Sequence, residues 1–233
     1  ISDTITYGLP IGCWNIANTC VEKTIYEGTI ELPSAPGGYT VAYQRCCRQI
    51  EIDNLINLVE TGMTLHTHIA TEFQNAGPGF NKDIPCMAFV GVPFSFDASA
   101  TDADGDSLVY ELKTPFAGGS LASPQPIPAS PPPFEIVSYI LPQFSEGNML
   151  GGNSSFTIDP ETGEMTAIPV FEGKFQTGYL VKEFKDGQYF GTTYKEFVVD
   201  VIFPVSNENI FLAEKIAVDV YPNPAKEKFF LEM

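Results

Sequence analysis

Apolar and polar residues alternate over short runs along this chain, and no segment sustains the 3.6-residue period of an amphipathic helix. Thr24 to Leu32 and Tyr39-Thr-Val-Ala-Tyr-Gln-Arg-Cys46 read as strands joined by Pro33-Ser-Ala-Pro-Gly-Gly38, a turn-forming composition. Met63 to Ala70 reads as a third strand, whereas Ile50 to Val59 fits neither the strand nor the helix period and stays unassigned. A second β unit begins at Ile84 to Asp97, after the glycine-rich loop Gln74 to Phe80. Strands follow at Leu108–Lys113, Phe134–Tyr139, Ser155–Ile158, Glu164–Ala167, Gly178–Phe184 and Tyr189–Phe203. The last two read as a hairpin across Lys185-Asp-Gly-Gln188, because Asp-Gly supplies the positive backbone angles of a tight turn. Pro124 to Pro133 holds six prolines in ten positions, which excludes regular structure and predicts a stiff surface loop.

Short strands punctuated by 19 prolines and 20 glycines predict an all-β chain of tandem antiparallel β-sandwich modules. The expected divisions are 1–83, a disulfide-containing module; 84–204, a second sandwich; and 205–233, a linker leading into a further domain. A length of 233 residues with 44% hydrophobic and 18% charged residues is a globular composition.

The charge narrows the partners. With 29 acidic against 12 basic residues the formal charge is −17, so a phosphate backbone is repelled and nucleic acid is not an expected partner. The longest near-continuous apolar run, Ile84 to Phe96, contains two prolines and falls short of the roughly 18 residues a membrane helix needs, so no membrane span is expected. Ile1 to Tyr7 lacks the basic start and apolar stretch of a signal peptide, and reads as a processed or truncated end.

Asp102-Ala-Asp104-Gly-Asp106 concentrates three carboxylates in five residues, and such like charges call for neutralisation by a hard cation of the calcium type. The loop fails the EF-hand template, since counting from Asp102 the sixth position is Ser107 and the twelfth Lys113. The five cysteines, Cys13, Cys20, Cys46, Cys47 and Cys86, contain no C-x-x-C and read as a disulfide set. On a strand, Cys46 and Cys47 point to opposite faces, which predicts two different partners, with Cys20 and Cys86 the candidates and Cys13 a third partner or the odd thiol. A reactive cysteine activated by Arg45 and Arg48 is the rival reading.

His66-Thr-His68 places two histidines on one strand face, a spacing able to hold a transition metal, though no further histidine exists to complete a site. No G-x-S-x-G is present and nothing selects a catalytic carboxylate pair, so no enzyme is expected. Trp14 and Tyr139 are candidates for a sugar-stacking platform, with core packing the alternative.

Three segments carry family resemblances. Phe94 to Tyr110, with its Ala-Asp-Gly-Asp core, followed by Phe156-Thr-Ile-Asp-Pro-Glu-Thr-Gly163 and the strand around Val181 to Phe184, resembles bacterial cadherin-like and immunoglobulin-like surface modules. That resemblance implies calcium held by ligands from separate loops at one end of a sandwich: Asp102, Asp104 and Asp106, with Asp97 or Glu183 closing the shell. Gly38 to Arg48, around Arg-Cys-Cys-Arg, resembles a recurring pattern in large secreted proteins of gliding or surface-colonising Bacteroidota. Val218 to Met233, with Tyr221-Pro222-Asn223-Pro224, resembles the opening of the type A sorting domain of the type IX secretion system, which implies a chain cut short at Met233. Together these resemblances imply a secreted protein of the outer cell surface, exported by the type IX machinery. Its expected role is adhesion, or that of a subunit of an extracellular filament or motility adhesin. Its expected partners are then a surface glycan, a protein ligand or like subunits. A carbohydrate-binding module and an accessory region of a larger secreted hydrolase are the alternatives.

Overall fold

The computed structural model describes the backbone at residues 2–5, 21–24, 28–71, 74–81, 86–204, 219–221 and 230–232. Strands β1 (Ser2–Ile5) and β2 (Val21–Thr24) pair with each other, as do β14 (Asp219–Tyr221) and β15 (Phe230–Glu232). Between them lie β3 (Tyr39–Arg45), β4 (Met63–Ile69), β5 (Gly79–Phe80), β6 (Cys86–Phe89), β7 (Phe94–Asp97) and β8 (Ala100–Thr101). They are followed by β9 (Ser107–Leu112), β10 (Thr157–Ile158), β11 (Glu164–Ala167), β12 (Gly173–Lys185) and β13 (Gln188–Ile202). The described residues contain no helix, and the fold is all-β and mainly antiparallel.

The main sheet runs β3-β4-β13-β12-β9, with β6 added parallel to the end of β13. A three-stranded sheet, β10-β11-β7, faces it, and the two inner faces share one core. Along β13, Phe197, Val199 and Val201 are buried in the core while Val198 and Asp200 lie half-buried on the other face, where Val198 packs against a second, smaller cluster. Phe94, Phe96, Met165 and Ala167 supply the opposing face, and Met149 and Leu150 close the layer from a loop.

Two tandem sandwiches were expected; the described residues form one, within the second expected division, and a separate first sandwich is not seen among them. His68 and Thr67 of β4 pair with Thr192 and Thr193 of β13, so β3 and β4 are hydrogen-bonded into the sheet formed by strands after residue 83. Residues 86–204 supply strands to both facing sheets and the buried core between them, and among the described residues before 83 β3 and β4 extend the larger sheet. Ile1–Phe203 forms one compact unit and Pro204–Met233 another.

The unassigned stretch from Ile50 to Val59 has no regular structure because it works as a cover. Asn54, fully buried, uses its side chain as a strand neighbour would: Oδ1 accepts the Gln176 N–H at 3.0 Å and Nδ2 donates to the Gln176 carbonyl at 2.9 Å. Ile52 and Leu55 pack beside it against Val137 in a small second core. Phe134 to Tyr139, expected as a strand, makes only isolated bridges, Phe116 to Ile136 and Leu55 to Tyr139. Its rigid neighbours Pro131 to Pro133 prevent a longer ladder.

Candidate metal centre

The Lys185 to Gln188 turn closes the β12–β13 hairpin with Asp186 at φ 51° and Gly187 at φ 79°, the pair of positive angles the sequence predicts. Beside this turn, Ser107 of β9 is paired with Phe184 of β12, so the acidic loop that leads into β9 lies against the hairpin tip. Gly105 takes φ 79°, which lets the loop reverse between Asp104 and Asp106.

Within that loop Asp102 organises the backbone. Its Oδ1 accepts the N–H groups of Asp104 at 2.8 Å and Asp106 at 3.1 Å, leaving Oδ2 buried without a hydrogen-bond partner. Asp106 has a side chain only 5% exposed, with Oδ2 again buried and unpartnered and Oδ1 standing 3.8 Å from Lys185 Nζ. One carboxylate oxygen from each of Asp102, Asp104 and Asp106 lies within 4.8 Å of one from each of the others. Among the described residues this is the one such convergence of His, Cys, Asp and Glu.

A fourth residue joins from far away in the chain. Asn75 donates from Nδ2 to Glu183 Oε1 at 2.8 Å, while its Oδ1 is buried and has no partner. Next to it the Ala76 N–H donates to Asp104 Oδ2 at 2.6 Å. Glu183, 1% exposed on β12, stands behind this layer; burial holds its carboxyl above the ordinary range, against the Asn75 hydrogen bond, and the three aspartates push it further up. Asp102 Oδ2 and Asp106 Oδ2, buried with no donor aimed at them, are costly to leave unpaired, and a cation held by the converging aspartates would satisfy them. All are hard oxygen donors, the set that suits calcium rather than a thiophilic metal.

The structure thus brings Asp102, Asp104 and Asp106 together and sets Glu183 behind them. Asp97 is not among the converging carboxylates: it ends β7 in the opposite sheet, paired with Glu164, and its Oδ1 accepts the Ser99 N–H at 3.0 Å. Sequence reasoning missed Asn75. It sits in the loop expected to separate two modules, and nothing in its local pattern ties it to a cluster some thirty residues on.

Among the described residues, His66 and His68 do not converge with a third His, Cys, Asp or Glu. His66 is packed between Phe116, Phe134 and Tyr194, with ring centroids 5.2, 5.0 and 5.7 Å away, while His68 Nδ1 lies 3.4 Å from Thr40 Oγ1. Tyr139 belongs to the core, in contact with both hydrophobic clusters, and burial pushes its hydroxyl well up. Trp14, Cys13, Cys20 and Pro222, Asn223 and Pro224 lie outside the described residues, as do the side chains of Cys86 and Tyr221.

Cys46 and Cys47 are bonded to each other, which corrects the expectation of two separate partners. The strand argument does not reach them, since β3 ends at Arg45. The rival of a thiol activated by two arginines also loses Arg48, which is buried in an ion pair with Glu196.

No protein family, no curated protein and no solved structure matches this chain.

Proposed function

We propose that this chain is a non-enzymatic β-sandwich of a secreted surface protein, stabilised by calcium at the end of the sandwich formed by the acidic loop and the β12–β13 hairpin tip. The observation that carries the calcium reading is the side chain of Asp106, almost wholly buried with an unpartnered Oδ2, converging with Asp102 and Asp104. Lys185 at 3.8 Å is one half-exposed cation against three converging carboxylates, so the cluster stays destabilising without a further counter-ion. The surface role is supported by the charge of −17, by the resemblance of Gly38 to Arg48 to a pattern of large secreted proteins and by the resemblance of Tyr221-Pro222-Asn223-Pro224 to a type IX sorting signal.

Adhesion by a single projecting unit is favoured over a filament of like subunits. The two outer strands of the main sheet are partly covered: the Cys46 N–H donates to the Pro124 carbonyl beyond the end of β3, Gln44 exchanges hydrogen bonds with Ser130, and on β9 the Tyr110 N–H donates to the Pro160 carbonyl. Prolines laid against a sheet edge leave little of it open to a neighbouring strand. Isothermal titration of the full chain with Ca2+ tests the proposal. Saturable binding with a matching rise in melting temperature is the expected result; absence of binding after complete removal of endogenous metal rejects it.

A further inference from the structure

The cation site opens to solvent through a polar depression lined by Asp104, Gly105, Asp106 and Ser107 on one side and by Phe184 to Gly187 on the other. We propose that neutral glycans bind there, two vicinal hydroxyls of one sugar completing the coordination of the bound calcium. This rests on the calcium reading and supplies the ligand for the adhesive role.

The protein brings three converging residues to the ion, Asp102, Asp104 and Asp106. Calcium takes about six to eight oxygens, so with one oxygen from each residue about three to five positions are left for water or ligand. The depression is the route by which a ligand reaches them. Displacing two waters with a rigid diol replaces their oxygens in kind and releases them to solvent.

The charge around the opening selects among oxygen ligands. Asp102, Asp104 and Asp106 outweigh the ion, and Asp186 on the rim cancels Lys185, whose Nζ is already drawn toward Asp106. The loaded site is therefore still acidic, which repels a carboxylate or phosphate and admits a neutral diol. The polar character of the rim, with the Ser107 hydroxyl, the Lys185 ammonium and the Asp186 carboxylate at the edge, offers both donors and acceptors to the remaining sugar hydroxyls. A single shallow site of this kind gives weak monovalent binding, which many copies on one cell surface convert into avidity.

The full chain is titrated first with Ca2+ alone, then examined by saturation-transfer NMR with methyl α-mannoside, methyl β-galactoside and methyl α-fucoside, in Ca2+ and after EGTA. These glycosides between them present diequatorial and axial–equatorial vicinal diols. The expected result is transfer to at least one glycoside in Ca2+ and its loss on chelation. Ser107→Val, which leaves the three aspartates in place, is expected to keep Ca2+ binding while weakening the glycoside about tenfold, the effect of losing one hydrogen bond at the rim. Ca2+ binding with no transfer to any of the three overturns the glycan inference and leaves the calcium reading standing. Failure of Ca2+ itself to bind overturns both. Transfer that survives EGTA places the sugar elsewhere and also overturns the inference, as does Ca2+-dependent binding of a glutamate-rich peptide in place of the glycosides.

Discussion

Arg48 and Glu196, 148 residues apart in sequence, meet in a forked ion pair: Nη1 donates to Oε1 at 2.6 Å and Nη2 to Oε2 at 3.1 Å. Their side chains are 2% and 5% exposed. Arg48 Nη2 also donates to the Phe116 carbonyl at 2.8 Å, and the Tyr194 hydroxyl donates to Glu196 Oε2 at 2.9 Å. The pair therefore fastens the segment after the Cys46–Cys47 turn onto β13, joining the two parts of the chain that the sequence divides.

Removing one member leaves the other charge buried and alone. Glu196→Gln and Arg48→Met are each expected to lower unfolding free energy by about 3–5 kcal/mol, as measured by urea denaturation. The double variant Arg48→Met/Glu196→Gln is expected to be less destabilised than the sum of the two, because the stranded charge is gone. Additive losses would show that the two residues do not form a coupled pair.

The acidic loop makes a prediction whose sign reverses with calcium. In EGTA, Asp106→Asn removes one of three crowded like charges, so the variant is expected to melt above the wild type. In excess Ca2+ the order inverts, because the wild type gains about 2.7 kcal/mol at a hundredfold excess over its dissociation constant and the variant gains less. Differential scanning fluorimetry in the two buffers checks both halves. A variant that stays below the wild type in EGTA would mean that the carboxylates are not under mutual repulsion.

The alternation of β13 and the Asp186-Gly187 turn were legible in the sequence because local patterning alone decides them. So was the convergence of Asp102, Asp104 and Asp106, since alternate positions on a tight loop cannot lie far apart. The one-unit architecture was not legible, because it depends on the pairing of His68 with Thr192, a contact between residues 124 positions apart. Asn54 and Asn75 were invisible for the same reason: each is a polar side chain in a loop, and its role is set by the partner it meets in space. Asp97 was carried into the ligand set by the resemblance, and its strand turned out to belong to the facing sheet.

The Cys46–Cys47 bond is open to direct mapping. A digest made without reductant, with free thiols alkylated beforehand, is expected to yield the peptide containing both cysteines unalkylated and not crosslinked to any other peptide. Reduction is expected to make both available to the alkylating reagent. A crosslink from either cysteine to the peptide of Cys20 or Cys86 would restore the pairing expected from the sequence.

His66 gives the chain a built-in sensitivity to acid. Both ring nitrogens are buried without partners, and the ring packs against Phe116, Phe134 and Tyr194. Burial among these rings holds its pKa below the ordinary 6.5, with the neighbouring His68 lowering it further. The folded state thus accepts a proton less readily than the unfolded chain. Above the unfolded pKa the ring is neutral in both states and proton linkage contributes nothing, and stability is lost as pH falls below about 6.5, until the folded form also protonates. Glu183 acts in the opposite direction, since its raised pKa makes the folded state hold a proton longer, but that contribution is common to wild type and any His66 variant. His66→Phe keeps an aromatic ring in the same cluster and removes the titration, so the difference in unfolding free energy between variant and wild type isolates the histidine. Between pH 7.5 and 5 that difference is expected to move in favour of the variant. A difference that stays flat across this range would show that His66 takes up its proton as easily folded as unfolded.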